Sequence, residues 1–183
     1  IETLKWTKKA LEKDSLNWRL LANEAICMWI IDEDKFYTDD NFLFPKLILD
    51  SPNMKGAESE FTEQFALICY HGLGNKKKFP DKAYMFFKYA FKTSESQNKV
   101  NTKALYYLID CYINGYGTNK DEGIAINLID GIIKYLRLDV DWSSQSSIKE
   151  ARTYVINEVY KQISQDKERM SQYKNFGDIF LLF

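Results

Sequence analysis

The sequence predicts an all-α protein in which helix–turn–helix units stack side by side as a solenoid. Three observations carry that expectation. Between Lys99 and Lys134, Ala104, Leu108 and Tyr112 recur at four-residue steps, Gly115 and Gly117 make a turn, and Asp121, Ala125 and Leu128 set out a second helical stretch. Side chains four apart share one face of a helix. A displaced copy lies 42 residues earlier, with Gly72, Gly74, Asp81 and Ala83 in the same order, and repetition at roughly 20–50 residues is the sequence mark of a solenoid. The composition agrees: 12 Tyr and 12 Phe stand against 3 Pro, which favours helices with a large aromatic core over a turn-rich β fold.

In chain order, residues 1–13 read as the second helix of a unit, with Leu4, Trp6, Ala10 and Leu11 apolar. A first helix is expected from about Ser15 to Ile31, capped by Ser15, followed by the acidic stretch Asp32–Asp40 and a short helix over Phe44–Asp50. Ser51-Pro52-Asn53 closes that unit. The next opens near Lys55, with Phe61, Phe65, Ile68 and Cys69 inward, and its second helix runs from Pro80 or Asp81 to about Ser94 with Ala83, Phe86, Phe87 and Ala90 inward. Helices are then expected over Lys99–Asn114 and Asn119–Leu136, with Asp121 in the first turn of the second, where the helix dipole favours a carboxylate. A long connector, 138–147, precedes Ile148, Ala151, Val155, Val159 and Ile163 at helical steps. The stretch Phe176–Phe183 is aromatic and apolar. It reads as a capping helix or as a face for a further unit or for self-association.

The order Ala104, Leu108, Tyr112, Gly115, Gly117, Asp121, Ala125, with Gly72, Gly74, Asp81, Lys82, Ala83, Phe86, Phe87 and Ala90 in the copy before it, resembles the Sel1-like repeat, a relative of the tetratricopeptide repeat. The resemblance covers about residues 61–132, and Gly131 departs from the pattern. It implies a right-handed α–α superhelix built from a partial repeat 1–13, a degenerate repeat 15–52, repeats 55–95 and 99–137, and a partial or capping repeat 147–183. Because the chain opens within a repeat, it is expected to be a piece of a longer array. The resemblance also implies a non-catalytic adaptor that holds a partner protein or peptide on its concave surface.

The remaining features bound the function. The formal net charge is −1, so no general attraction to nucleic acid follows, and no apolar run approaches the roughly 20 residues that span a bilayer. Cys27, Cys69 and Cys111 lie 42 residues apart. Equal spacing is expected to put them at the same place on successive helices, too far apart for disulfides, as free thiols in a reducing compartment. No metal or cofactor is expected. The single histidine, His71, reads as a dipole partner at a helix C-terminus, and Gly72-Leu73-Gly74 and Gly115-Tyr116-Gly117 lack the ending of a phosphate loop. A hydrolase using His71 or Asp32–Asp40 is the competing reading. Adjacent aromatics cannot all face one side of a helix, so Tyr106 and Tyr107, and Trp142 in the connector, are the expected partner anchors.

Overall fold

The computed structural model describes residues 2–13, 58–72 and 78–172. Among them there are six helices and no strand: α1 (Glu2–Leu11), α2 (Glu58–His71), α3 (Pro80–Ser96), α4 (Thr102–Asn114), α5 (Glu122–Tyr135) and α6 (Gln145–Gln172). The chain forms two compact units, and α1 lies in the first while α2 to α6 lie in the second, Ser59–Ile179. The degenerate repeat 15–52, Cys27, the Asp32–Asp40 stretch and Phe176–Phe183 lie outside the described residues. In α1, Thr7 is buried and Trp6 is exposed, with Lys9 Nζ 5.5 Å from its ring centre.

In the second unit α4 is central, packing against α3, α5 and α6. The reason is legible in its sequence. Ala104, Tyr107, Leu108 and Cys111 lie on one face and Leu105 and Ile109 on the next, and all are buried. Leu105 and Ile109 join Ile129, Ile132 and Ile133 of α5 and Val155 and Val159 of α6 in one apolar cluster. A helix apolar nearly all round belongs in a core. Phe86, Phe87, Ala83 and Ala90 of α3 are buried as the sequence predicts, as are Phe65, Ile68 and Cys69 of α2.

α3 begins at Pro80 as expected, whereas α4 and α5 begin three residues later than expected because side-chain caps, not the apolar pattern, fix their starts. Asn101 caps α4, its oxygen accepting from Ala104 N–H at 2.9 Å, and Asp121 caps α5, accepting from Ile124 N–H at 2.9 Å. Asp121 is therefore the cap itself and not a first-turn carboxylate. Asn101 also ties three elements together: its Nδ2 donates to Ser59 Oγ of α2 at 2.9 Å, Ser59 Oγ donates to the Ala90 carbonyl of α3 at 2.7 Å, and Asn101 N–H donates to Ser94 Oγ at 3.0 Å.

The two hairpins close alike. α2 and α4 each end on a glycine at positive φ, Gly72 (74°) and Gly115 (68°). Their N–H groups bond Ile68 O and Cys111 O respectively. The caps of the following helices then reach back, Phe79 N–H to Cys69 O at 2.8 Å and Asp121 N–H to Tyr112 O at 2.9 Å. The counterpart of Cys111 is thus Ile68, and that of Cys69 is Tyr112. This corrects the expectation from equal spacing: the first turn is one residue longer, which displaces the cysteines by one position. Cys69 and Cys111 are nonetheless buried free thiols, and burial pushes Cys111 up to about 12. α3 and α5 end on left-handed residues too, Asn98 (φ 55°) and Arg137 (φ 54°), with Lys99 N–H bonding Ser94 O and Leu138 N–H bonding Ile133 O. Non-glycine residues in this region carry roughly 1–2 kcal/mol of strain, so sequence patterns that look for glycine miss these stops.

Gly117 (φ 72°) seats the second hairpin on the first. A Cβ there would lie 2.0 Å from the Pro80 carbonyl oxygen at the start of α3. Gly131, inside α5, would meet nothing within 4 Å. The two glycines therefore respond oppositely to alanine. Gly117→Ala should lose at least about 3 kcal/mol from the clash and the left-handed backbone, whereas Gly131→Ala should gain about 0.5–1 kcal/mol of helix propensity. Urea unfolding of the two variants beside the parent checks both signs.

Candidate interaction site around Tyr107

Among the described residues Tyr107 is the largest side chain fully removed from solvent, at 0% exposure. Its ring stacks on Phe87 of α3, centroids 4.4 Å apart and planes 11° apart, and meets Tyr70 of α2 edge-on at 4.8 Å. A buried phenol needs partners for its hydroxyl. Tyr107 donates to Asp166 Oδ2 of α6 at 3.2 Å, and His71 Nε2 of α2 stands 2.6 Å from the Tyr107 hydroxyl oxygen. With the phenol proton directed at Asp166, the bond from His71 requires Nε2–H as donor. The result is a directed chain from His71 through Tyr107 to Asp166.

Asp166 is a buried carboxylate at 3% exposure. Gln162 Nε2 donates to it at 3.0 Å, Lys103 Nζ lies 3.5 Å away and Arg169 Nη2 3.4 Å away. Lys103 also faces Glu63 of α2 at 3.6 Å. Burial raises the Glu63 carboxyl, with Lys103 acting against it. A second network lies beside the first: Tyr70 donates to Asp110 Oδ2, Asn114 Nδ2 donates to Asp110 Oδ1 at 2.7 Å, and Tyr116 donates to the Tyr70 carbonyl at 3.0 Å. Burial pushes the Tyr70 and Tyr107 phenols upward, so both act as neutral donors.

The sequence-predicted residues separate here. Tyr107 is not a surface anchor: its place on the α2–α3 side of α4 puts it wholly in the core. Tyr106 is half-buried, packed against the apolar cluster of α4, α5 and α6 rather than open on a groove. Burial raises its phenol, with Glu158 and Tyr154 of α6 adding to the effect. Trp142 does stand out, 44% exposed, with Lys134 Nζ 5.3 Å from its ring centre. Helical spacing could not foretell the exposed Tyr135, Tyr154 and Tyr160, because it gives periodicity and not which neighbour covers which face. The dipole-partner reading of His71 also falls. Burial lowers the imidazole to about 4, against the pull of Asp166, and Lys78, Lys167 and Arg169 act in the same direction as burial. A neutral ring hydrogen-bonds its neighbour but carries no charge to the helix end.

Among the described residues, no group of three or more His, Cys, Asp and Glu side chains is placed to hold a metal ion, and no helix is long and apolar enough to cross a membrane. Comparison of the chain with protein-family models, with curated proteins and with solved structures finds no match. The likeness to Sel1-like repeats thus stands on the quoted residues alone.

Two measurements probe the chain of bonds. Tyr107→Phe keeps the ring stack but strands His71 and removes a donor from Asp166. It should cost about 2 kcal/mol, since a stranded buried polar group carries most of its desolvation penalty. The pH response follows from His71. Its folded value, about 4, lies below the ordinary value near 6.5, so between those limits the unfolded chain binds the extra proton. Stability therefore rises with pH through that window and is lost as pH falls from 6.5 toward 4. His71→Gln, which keeps a donor for Tyr107, should flatten that part of the stability–pH curve relative to the parent.

Proposed function

We propose that this chain is a protein-interaction module of the Sel1-like type, a right-handed α–α superhelix whose stacked hairpins hold a partner protein or peptide. The observation that carries this reading is the matched closure of the two hairpins. Each ends its first helix on a left-handed glycine four residues after the carbonyl it bonds, and each second-helix cap reaches back to the next carbonyl along. Units that close alike and nest through a contact as tight as Gly117 on Pro80 are the building blocks of an extended binding surface. In this reading the exposed Trp142 is an aromatic anchor for the partner, and Tyr106 packs against the apolar cluster of α4, α5 and α6 in the same unit.

The test is a displayed peptide library selected on the purified chain, with binders measured by calorimetry. Trp142→Ala should weaken selected binders at least tenfold and leave the unfolding midpoint unchanged. Failure to select any specific binder, or binders indifferent to Trp142 and to every other exposed aromatic, would remove the reading. The hydrolase alternative draws on one observation, the run His71–Tyr107–Asp166. An ester, amide and glycoside turnover screen on the parent and His71→Gln separates the two. The adaptor reading expects no His71-dependent turnover.

A further inference from the structure

The end of α6 is attached to the rest of the second unit in the manner of a bound peptide. α6 is 28 residues long, while α2 to α5 have 13 to 17. Its middle is held by Val155 and Val159 in the apolar cluster. From Ser164 to Gln172 it buries only Asp166 and Met170, two anchors spaced four apart on one helical face. Asp166 reaches Tyr107 and Lys103 on α4, and Lys103 in turn faces Glu63 on α2.

Without this occupant Tyr107 keeps its stack on Phe87 and its bond from His71 Nε2, and Lys103 keeps Glu63 as a counter-ion, but the phenol proton loses its carboxylate acceptor. The occupant fits imperfectly, because Nε of Arg169 has no hydrogen-bond partner among the described residues. The cations that meet Asp166 stay partly exposed, so these ion pairs hold the segment only lightly, and segments with few buried apolar contacts open first. We propose that Lys103 and Tyr107 of α4, with the adjoining end of α2, form a docking site for an amphipathic partner helix that presents a carboxylate followed four residues later by a long apolar side chain. The end of α6 is the resident occupant that such a helix displaces. This rests on the interaction-module reading and names the partner's chemistry.

The probe is a fluorescent peptide spanning Glu158–Gln172 of this chain. Added in excess to the full parent chain, it should speed hydrogen exchange of amides 164–172 by at least tenfold while α2 to α5 stay protected. In the full chain carrying Asp166→Asn with Met170→Gln, or carrying Ser164→Pro as an independent way to open the segment, the peptide should bind at least tenfold more tightly than to the parent. A peptide with Asp166→Asn should lose at least tenfold.

Unchanged exchange in the parent under saturating peptide overturns the proposal, and this arm needs no variant to fold. So does a variant whose segment has lost protection but ignores the peptide. A variant that dimerises and ignores the peptide would assign the face to a second copy and overturn the partner assignment. Library binders that depend on Trp142 while the peptide fails would leave the interaction module standing and remove only this site.

Discussion

A phenol hydroxyl taken wholly out of water has to be given partners, and the arrangement of the second unit follows from how Tyr107 finds them. Its ring is fixed by Phe87 of α3 and Tyr70 of α2, and its oxygen by His71 of α2 and Asp166 of α6. Four helices therefore meet at one side chain of α4. Each bond is directional, so the phenol specifies the rotation of α4 about its axis as well as its depth. The apolar cluster of Leu105, Ile109, Ile129, Ile132, Ile133, Val155 and Val159 supplies most of the driving force through area removed from water, but such contacts tolerate rotation. The polar core supplies the register. The order of contributions matters here: one net hydrogen bond contributes about 1 kcal/mol, whereas burying each of those aliphatic side chains contributes roughly 1.5–3 kcal/mol.

The charge of Asp166 is the complement of that arrangement. It is the one carboxylate in the network that reaches from α6 onto α4, and it is met by two cations and two neutral donors. Both cations remain partly exposed, so the pair is half in water, and its worth lies closer to that of a surface ion pair than of a dry one. The bidentate fork of Arg152 on Asp130, at 2.8 and 2.7 Å, ties the earlier part of α6 to α5 in the same manner. α6 is thereby held firmly in its first half and lightly in its last.

How much of this could be read from the chain depends on which physical signal each feature leaves. The helices, their inward residues on α2 and α3, and the glycine turns were legible, because apolar spacing and left-handed glycines are local properties. The starts of α4 and α5 shifted by about three residues because Asn101 and Asp121 act as caps, a polar signal that an apolar stripe does not register. Arg137 and Asn98 stop helices at positive φ without being glycine, yet the expected ends, about Ser94 and Leu136, fall within two residues of the observed Ser96 and Tyr135. The cysteine spacing misled by one residue, since equal sequence intervals do not survive turns of unequal length. The network around Tyr107 was out of reach for a deeper reason. His71, Tyr107 and Asp166 are 36 and 59 residues apart, and no local pattern says that a polar side chain on each of three helices will converge. The same ignorance of neighbours made Tyr107 look like a surface anchor.

Gly117 resting on the backbone of Pro80 has a bearing on how this chain could be altered by hand. The bend between α4 and α5 has no slack: a single added carbon collides with main chain. The stretch from Leu136 to Ser144, by contrast, is mostly exposed and is closed on itself by Asp141, whose carboxylate accepts from Ser143. A fluorescent tag or an epitope belongs in that second place, at the exposed Asp139, clear of Trp142 and of Leu138 and Val140, which pack on the apolar cluster. The same graft at the first would pry the hairpins apart.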